Sequence, residues 1–227
     1  MMNICVFGDS VAKGVIFDEA KNKYTFLKEN FVNLVQSKTT VGFKNFAKFG
    51  CTVSKGSEIL KKQADNLAAY PYTILEFGGN DCDLNWAEVA QMPNIVHQAQ
   101  VPIESFKAIY EQMIETTRAA GSNPILLSLP PLDAERFFHW VAKDLNKDNI
   151  LTYLNNDVEY IFKWHEGYND MIFQLAAEYS IPVIDIRSDF LNQQNYKNLL
   201  CIDGMHPNKE GHQLIARTLE KAIGSLV

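Results

Sequence analysis

Two short stretches at opposite ends of the chain hold residue types that could carry out nucleophilic chemistry together. Near the N-terminus, Gly8-Asp9-Ser10 follows the apolar run 4–7. Near the C-terminus, Asp203-Gly204-Met205-His206-Pro207 precedes an amphipathic stretch containing Ile215, Leu219 and Ile223. A serine hydroxyl is a weak nucleophile at neutral pH and needs a base within hydrogen-bond reach. Imidazole can be that base. A carboxylate three residues before it, with Gly204 freeing the loop, can hold the other ring nitrogen and favour the imidazolium. Each block also has a plainer reading. Gly, Asp and Ser favour turns for local reasons, a single histidine is often structural, and Asp203 can cap a helix.

Attack on a carbonyl also needs donors for the oxyanion it creates. Gly78-Gly79-Asn80-Asp81 closes the strand-like run 72–77, and Asn80 offers a side-chain amide there. The alternative for Asn80 is a turn residue bonding its own backbone. Gly50, in the turn after residues 42–47, either supplies a special backbone angle or close approach, or turns its N–H toward the reacting centre. Asp81 reads as a brace for its loop or a cap for the next helix, and Cys82 and Asp83 lie close enough to line a pocket.

Together the four blocks, in this order, resemble the SGNH/GDSL hydrolase family, whose name lists their serine, glycine, asparagine and histidine. The resemblance runs from Gly8 to Pro207. It implies a catalytic set of Ser10, Asp203 and His206, and an oxyanion hole of the Ser10 and Gly50 N–H groups with the Asn80 amide. It also implies a flavodoxin-like three-layer α/β/α sandwich with a five-stranded parallel sheet. The expected function is a serine-dependent acyl-ester hydrolase that needs no cofactor. The alternatives are a carbohydrate O-acetyl esterase or acyltransferase using the same site, and a small-molecule binding protein on the same scaffold. The α/β-hydrolase fold is disfavoured because no G-x-S-x-G elbow is present. Asp81, Asp83, Asp203, His206 and His212 form no recognised metal-ligand pair, so no metal is expected. The G-x-G-x-x-G of a dinucleotide site is absent after the first strand.

The elements that must position these residues can be read from periodicity. Near-continuous apolar runs at 4–7, 72–77, 124–129 and 181–186, with a weaker one at 42–47, predict strands. Residues 15–24 read as a polar, mixed segment. Helical spacing predicts helices over 26–35, 56–69 and 102–120. Strands alternating with helices point to a parallel sheet covered on both faces. Asp185 falls inside the last predicted strand, either as a bonded buried carboxylate or near a sheet end. Residues 131–168 depart from a compact α/β unit, with two helical patterns and eight aromatic rings after a strand end. They either enlarge the core or line the site, and the second reading nominates Trp140 and Phe138 as substrate-binding residues.

The chain of 227 residues has no linker-like tract or repeat and reads as one domain, 1–227, with a helical excursion at about 131–168. A hydrophobic content of 47% with 21% charged residues is that of a globular protein with a real core. The net charge of −6 argues against a nucleic-acid partner, and the family resemblance implies a small-molecule ester as the partner instead. No apolar run reaches the ~20 residues of a membrane span. No signal sequence is expected either, since residues 1–3 carry no positive charge. The four cysteines have no framework spacing, so free thiols and a cytoplasmic location are expected.

Overall fold

The computed structural model describes residues 2–225. Its strands and helices alternate in chain order. The first half comprises β1 (Asn3–Gly8), a one-turn helix α1 (Ser10–Lys13), a hairpin of β2 (Val15–Asp18) and β3 (Lys23–Phe26), α2 (Phe31–Lys38), β4 (Gly42–Asn45) and α3 (Val53–Gln63). A 3₁₀ turn (Ala64–Ala69) leads into β5 (Tyr72–Glu76), α4 (Trp86–Gln91), α5 (Ile103–Ala119) and β6 (Asn123–Leu127). Then come α6 (Ala134–Val141), α7 (Lys147–Tyr153), α8 (Glu159–Tyr179), β7 (Val183–Ile184), α9 (Ile186–Leu191) and α10 (Lys209–Gly224).

The central sheet has the order β4-β1-β5-β6-β7, and every neighbouring pair is parallel. Setting the hairpin aside, this is the flavodoxin-like order, giving a three-layer α/β/α sandwich. Alternation along the strands explains the layers. Ile4, Val6, Ile74 and Leu127 face one way, into a core closed by α2, α9 and α10. Cys5, Phe7, Leu75 and Leu126 face the other, against α3, α5 and α8. A third cluster joins α4, α6, α7 and the start of α8, with Trp86, Phe138, Ile150 and Ile161 inside it. This third cluster is where the aromatic excursion folds. All four cysteines are buried free thiols, and among the described residues no helix is long and apolar enough to cross a membrane.

Several elements differ from the sequence expectation, and the two helical patterns of the excursion become three helices, α6, α7 and α8. The stretch 15–26 forms the two-stranded hairpin, and α2 starts only at Phe31, where the Asn30 side chain accepts from the Asn33 N–H at 3.1 Å. Four-residue strands give too little alternation to be told from a mixed coil. The last strand is also shorter than expected. Asp185 stops it by capping α9, its carboxylate accepting from the Ser188 N–H at 3.0 Å and the Ser128 hydroxyl at 3.2 Å. The cap draws Ile186 into a helix rather than the sheet.

The consequence for function is topological. Connections from β1 pass to β4 on one side, and the chain then crosses back to β5 on the other. The crevice therefore opens at the carboxyl ends of β1 and β5, where strand order reverses.

Candidate active site

β1 ends at Gly8, and the chain turns at once into α1. Glu76, the last residue of β5, occupies the space beside this turn: a Cβ on Gly8 would meet Glu76 Oε2 at 2.6 Å and Ala12 Cβ at 2.7 Å. Asp9 is the N-cap, its Oδ1 accepting from the Val11 N–H at 2.8 Å. Ser10 therefore sits at the first helical position, and among the described residues its own N–H meets no acceptor.

At the other end of the chain, Asp203 shapes its loop from within. Its Oδ1 accepts from the N–H groups of Met205 (3.0 Å) and His206 (3.1 Å), leaving Oδ2 for the His206 ring at Nδ1, 2.7 Å away. His206 Nε2 lies 2.9 Å from Ser10 Oγ, closing a contact between residues 196 apart in sequence. Gly204 carries φ +74°, and a Cβ there would meet Asp133 O and Phe137 N at 2.7 Å. Its carbonyl accepts from the Asp133 N–H at 2.7 Å. The start of α6 thus clamps the histidine loop.

All three polar members are buried, Asp203 completely. Burial alone would raise the Asp203 carboxyl. The hydrogen bond and charge of His206, with two backbone N–H donors, outweigh it and hold the group below its ordinary value. Tyr24, carried on β3, covers the pair with its ring 5.2 Å from that of His206. Burial, with the Asp203 carboxylate facing it, pushes the Tyr24 phenol well up.

The β5 turn completes the arrangement. Asn80 Nδ2 donates to Asp9 Oδ2 at 2.9 Å, which fixes the amide and leaves its second hydrogen for the cavity that it lines. Asp81 accepts from the Val53 N–H at 2.8 Å, so it holds the first residue of α3, the preceding helix rather than the next. Burial raises its carboxyl to about 7. Gly50 has φ +66° with open space where a Cβ would stand, so its backbone angle requires glycine and crowding does not. Its neighbour Phe49 lines the cavity, and among the described residues the Gly50 N–H has no acceptor. Cys82 and Asp83 also line the cavity; Asp83 is committed to the Trp86 indole at 2.8 Å.

Glu76 is a residue the sequence reading passed over. It is fully buried, its Oε2 accepting from the N–H groups of Asp9 (3.1 Å) and Ala12 (3.2 Å). Among the described residues its Oε1 makes no hydrogen bond. Burial, with the Asp9 carboxylate beside it, raises the Glu76 carboxyl well above its ordinary range. Two carboxylates cannot both ionise freely in so dry a site, and burial pushes the Asp9 carboxyl up as well. The available signal was a lone acid between Leu75 and Phe77 in a run otherwise fit for a buried strand.

The cavity beside Ser10 measures about 190 Å³. Its wall is mostly apolar, with Trp86, Leu132, Phe137, Ile161 and Trp164 among the lining side chains. Both Phe137 and Phe138 lie in the third core cluster, but only Phe137 reaches the cavity wall. Trp140 packs edge-on against Phe17 at 4.7 Å and faces Tyr24 at 6.2 Å, behind the wall.

The chain belongs to the GDSL-like Lipase/Acylhydrolase family, whose model matches residues 6–214. A comparison with curated protein sequences finds no match. Solved structures agree in fold. A lipase/acylhydrolase from Enterococcus faecalis superposes with a TM-score of 0.67 at 20% identity, over 99% of this chain and 96% of that one. A member of the lipolytic G-D-S-L family from Veillonella parvula gives 0.68 at 18%, covering 99% of both. A catalytic mutant of an acetylxylan esterase from Geobacillus stearothermophilus gives 0.68 at 16%, over 98% and 94%. Family membership makes this chain a hydrolase of the esterase type.

The Glu76 assignment can be tested by substitution. Glu76→Gln keeps an acceptor for the two N–H groups, so its melting temperature should stay near wild type. Glu76→Leu strands both N–H groups, at about 1–3 kcal/mol each, and should melt well below it. Equal melting temperatures for the two variants would contradict the acceptor role of Glu76.

Proposed function

We propose that this protein is a serine-dependent acyl-ester hydrolase in which Ser10 is the nucleophile, His206 the base and Asp203 its orienting carboxylate. The observation that carries the reading is the buried chain of hydrogen bonds from Asp203 through His206 to Ser10. Ser10 Oγ attacks the ester carbonyl while His206 Nε2 takes its proton; Asp203 holds Nδ1–H and stabilises the imidazolium. The tetrahedral oxyanion is met by the free N–H groups of Ser10 and Gly50 and by the second hydrogen of the Asn80 amide. Collapse breaks the carbon–oxygen bond to the alcohol, which leaves with the proton from His206. Water, deprotonated by the same imidazole, then cleaves the acyl-enzyme to the free acid.

The cavity size bears on the acyl group. An apolar cavity of about 150 Å³ takes up benzene, so one of about 190 Å³ has room for a chain of several carbons beyond acetyl. Each buried methylene contributes up to about 0.8 kcal/mol. This supports an acyl chain in the cavity, with the alcohol toward solvent, over an O-acetyl esterase.

Ser10→Ala and His206→Ala should abolish hydrolysis of p-nitrophenyl esters while keeping the wild-type circular dichroism. A folded Ser10→Ala protein that still turns over would sink the mechanism, and no turnover by the wild type on any ester would favour a binding protein. Asn80→Ala should lower kcat roughly 10²–10³-fold, about 2.7–4 kcal/mol, with little change in KM. A loss under about tenfold would return Asn80 to the role of a turn residue.

The wall residues separate by chain length. Phe137→Ala should change the ratios of kcat/KM among acetyl, butyryl and hexanoyl esters of one alcohol. Trp140→Ala, behind the wall, should scale all three alike. The reverse pattern would put Trp140, not Phe137, against the acyl group.

A further inference from the structure

Arg187, the second residue of α9, is buried with its side chain only 5% exposed. Among the described residues its Nε and Nη2 make no hydrogen bond, and its ion pair with Glu166 is long, at 3.6 Å. Leaving guanidinium hydrogens unpaired in the interior is costly. What the guanidinium does reach is the ring of Phe162, 4.7 Å from its carbon, and His165 Nδ1, 3.4 Å from Nη1.

An arginine nitrogen can only donate. His165 Nδ1 must therefore present its lone pair, and the single proton of a neutral ring resides on Nε2. Burial, aided by the Arg187 charge, keeps the ring neutral by lowering its pKa to about 3. His165 lines the cavity beside Ile161 and Trp164. Among the described residues its Nε2–H meets no acceptor. The nearby indoles are already committed, Trp86 to Asp83 and Trp164 to the Cys82 carbonyl, both at 2.8 Å. Arg187 thus fixes an uncommitted donor on a wall that is mostly apolar.

We infer that His165 is a specificity-determining residue whose Nε2–H binds a neutral oxygen, keto or hydroxyl, carried along the acyl chain of the substrate. A plain hydrocarbon chain would leave that donor unpaired. A carboxylate is disfavoured because Asp9 and Asp83 line the same cavity. The inference rests on the ester-hydrolase reading above and names its substrate class.

The test uses p-nitrophenyl esters in matched pairs: pentanoyl with 4-oxopentanoyl, hexanoyl with 5-oxohexanoyl, and heptanoyl with 6-oxoheptanoyl. A ketone only accepts, so it matches a donor-only nitrogen. The readout is the oxo-to-alkyl ratio of kcat/KM, corrected by the same ratio in uncatalysed alkaline hydrolysis, which needs no variant. At one chain length the wild type should prefer the oxo ester by about tenfold. His165→Leu should lose that preference and His165→Gln, which keeps an amide donor, should recover part of it. Turnover of the alkyl esters with a corrected ratio near one in all three pairs overturns the inference alone, as does a ratio unchanged in His165→Leu. A faster rate on the glutaryl half-ester than on 5-oxohexanoyl overturns the neutral-oxygen assignment. If no ester is turned over, acetyl included, the hydrolase reading fails and this inference with it.

Discussion

The contact between Ser10 and His206 is the constraint on which the rest of the architecture depends. It joins residues from opposite ends of the chain, so everything between must bring both loops to one edge of the sheet. The strand order does this by placing β1 and β5 side by side at the reversal point, with the histidine loop arriving from across β7 and α9. The hydrogen-bond angle tolerates little slack, and the loop is accordingly fixed several times over. Asp203 bonds its own backbone, α6 clamps Gly204, and the Cys201 N–H donates to the His206 carbonyl at 2.8 Å. The aromatic excursion is therefore more than a wall for the cavity, because its first helix also holds the loop that carries the imidazole.

A second constraint lies under the serine. The turn from β1 into a one-turn helix leaves several N–H groups pointing at a dry interior, and a helix this short cannot satisfy them itself. Glu76 accepts two of them, those of Asp9 and Ala12, from the end of β5. Asp9 in turn fixes the Asn80 amide. Ser10 and Asn80 are thus held in mutual register through Asp9 and the Glu76 carboxyl beneath it. At Arg187 and His165, a buried group of fixed protonation sets which atom a neighbour can donate.

Much of this was legible in the sequence, for identifiable reasons. Ser10, Asn80 and His206 stand where apolar runs break into polar turns, and such breaks mark strand ends whatever the tertiary context. The parallel sheet was readable because its strands are apolar on both faces. Glu76 was not, since its partners are backbone N–H groups brought near only by strand pairing. Tyr24 was hidden in a hairpin of four-residue strands. Phe138 and Trp140 were chosen by adjacency to a cluster. A helix turns by about 100° per residue, so neighbours in sequence face different surroundings, and it is Phe137 that meets the cavity. Asp185 shows the same limit in a strand context, because a helix cap at its position ends the strand two residues early.

The central claim is that Ser10 is activated by His206, and covalent labelling tests it most directly. Folded protein would be incubated with a fluorophosphonate, digested, and the adduct located by mass spectrometry. The account predicts one adduct, on Ser10, formed at a rate that collapses in His206→Ala. An adduct on another residue, or no adduct in folded wild-type protein, would contradict it.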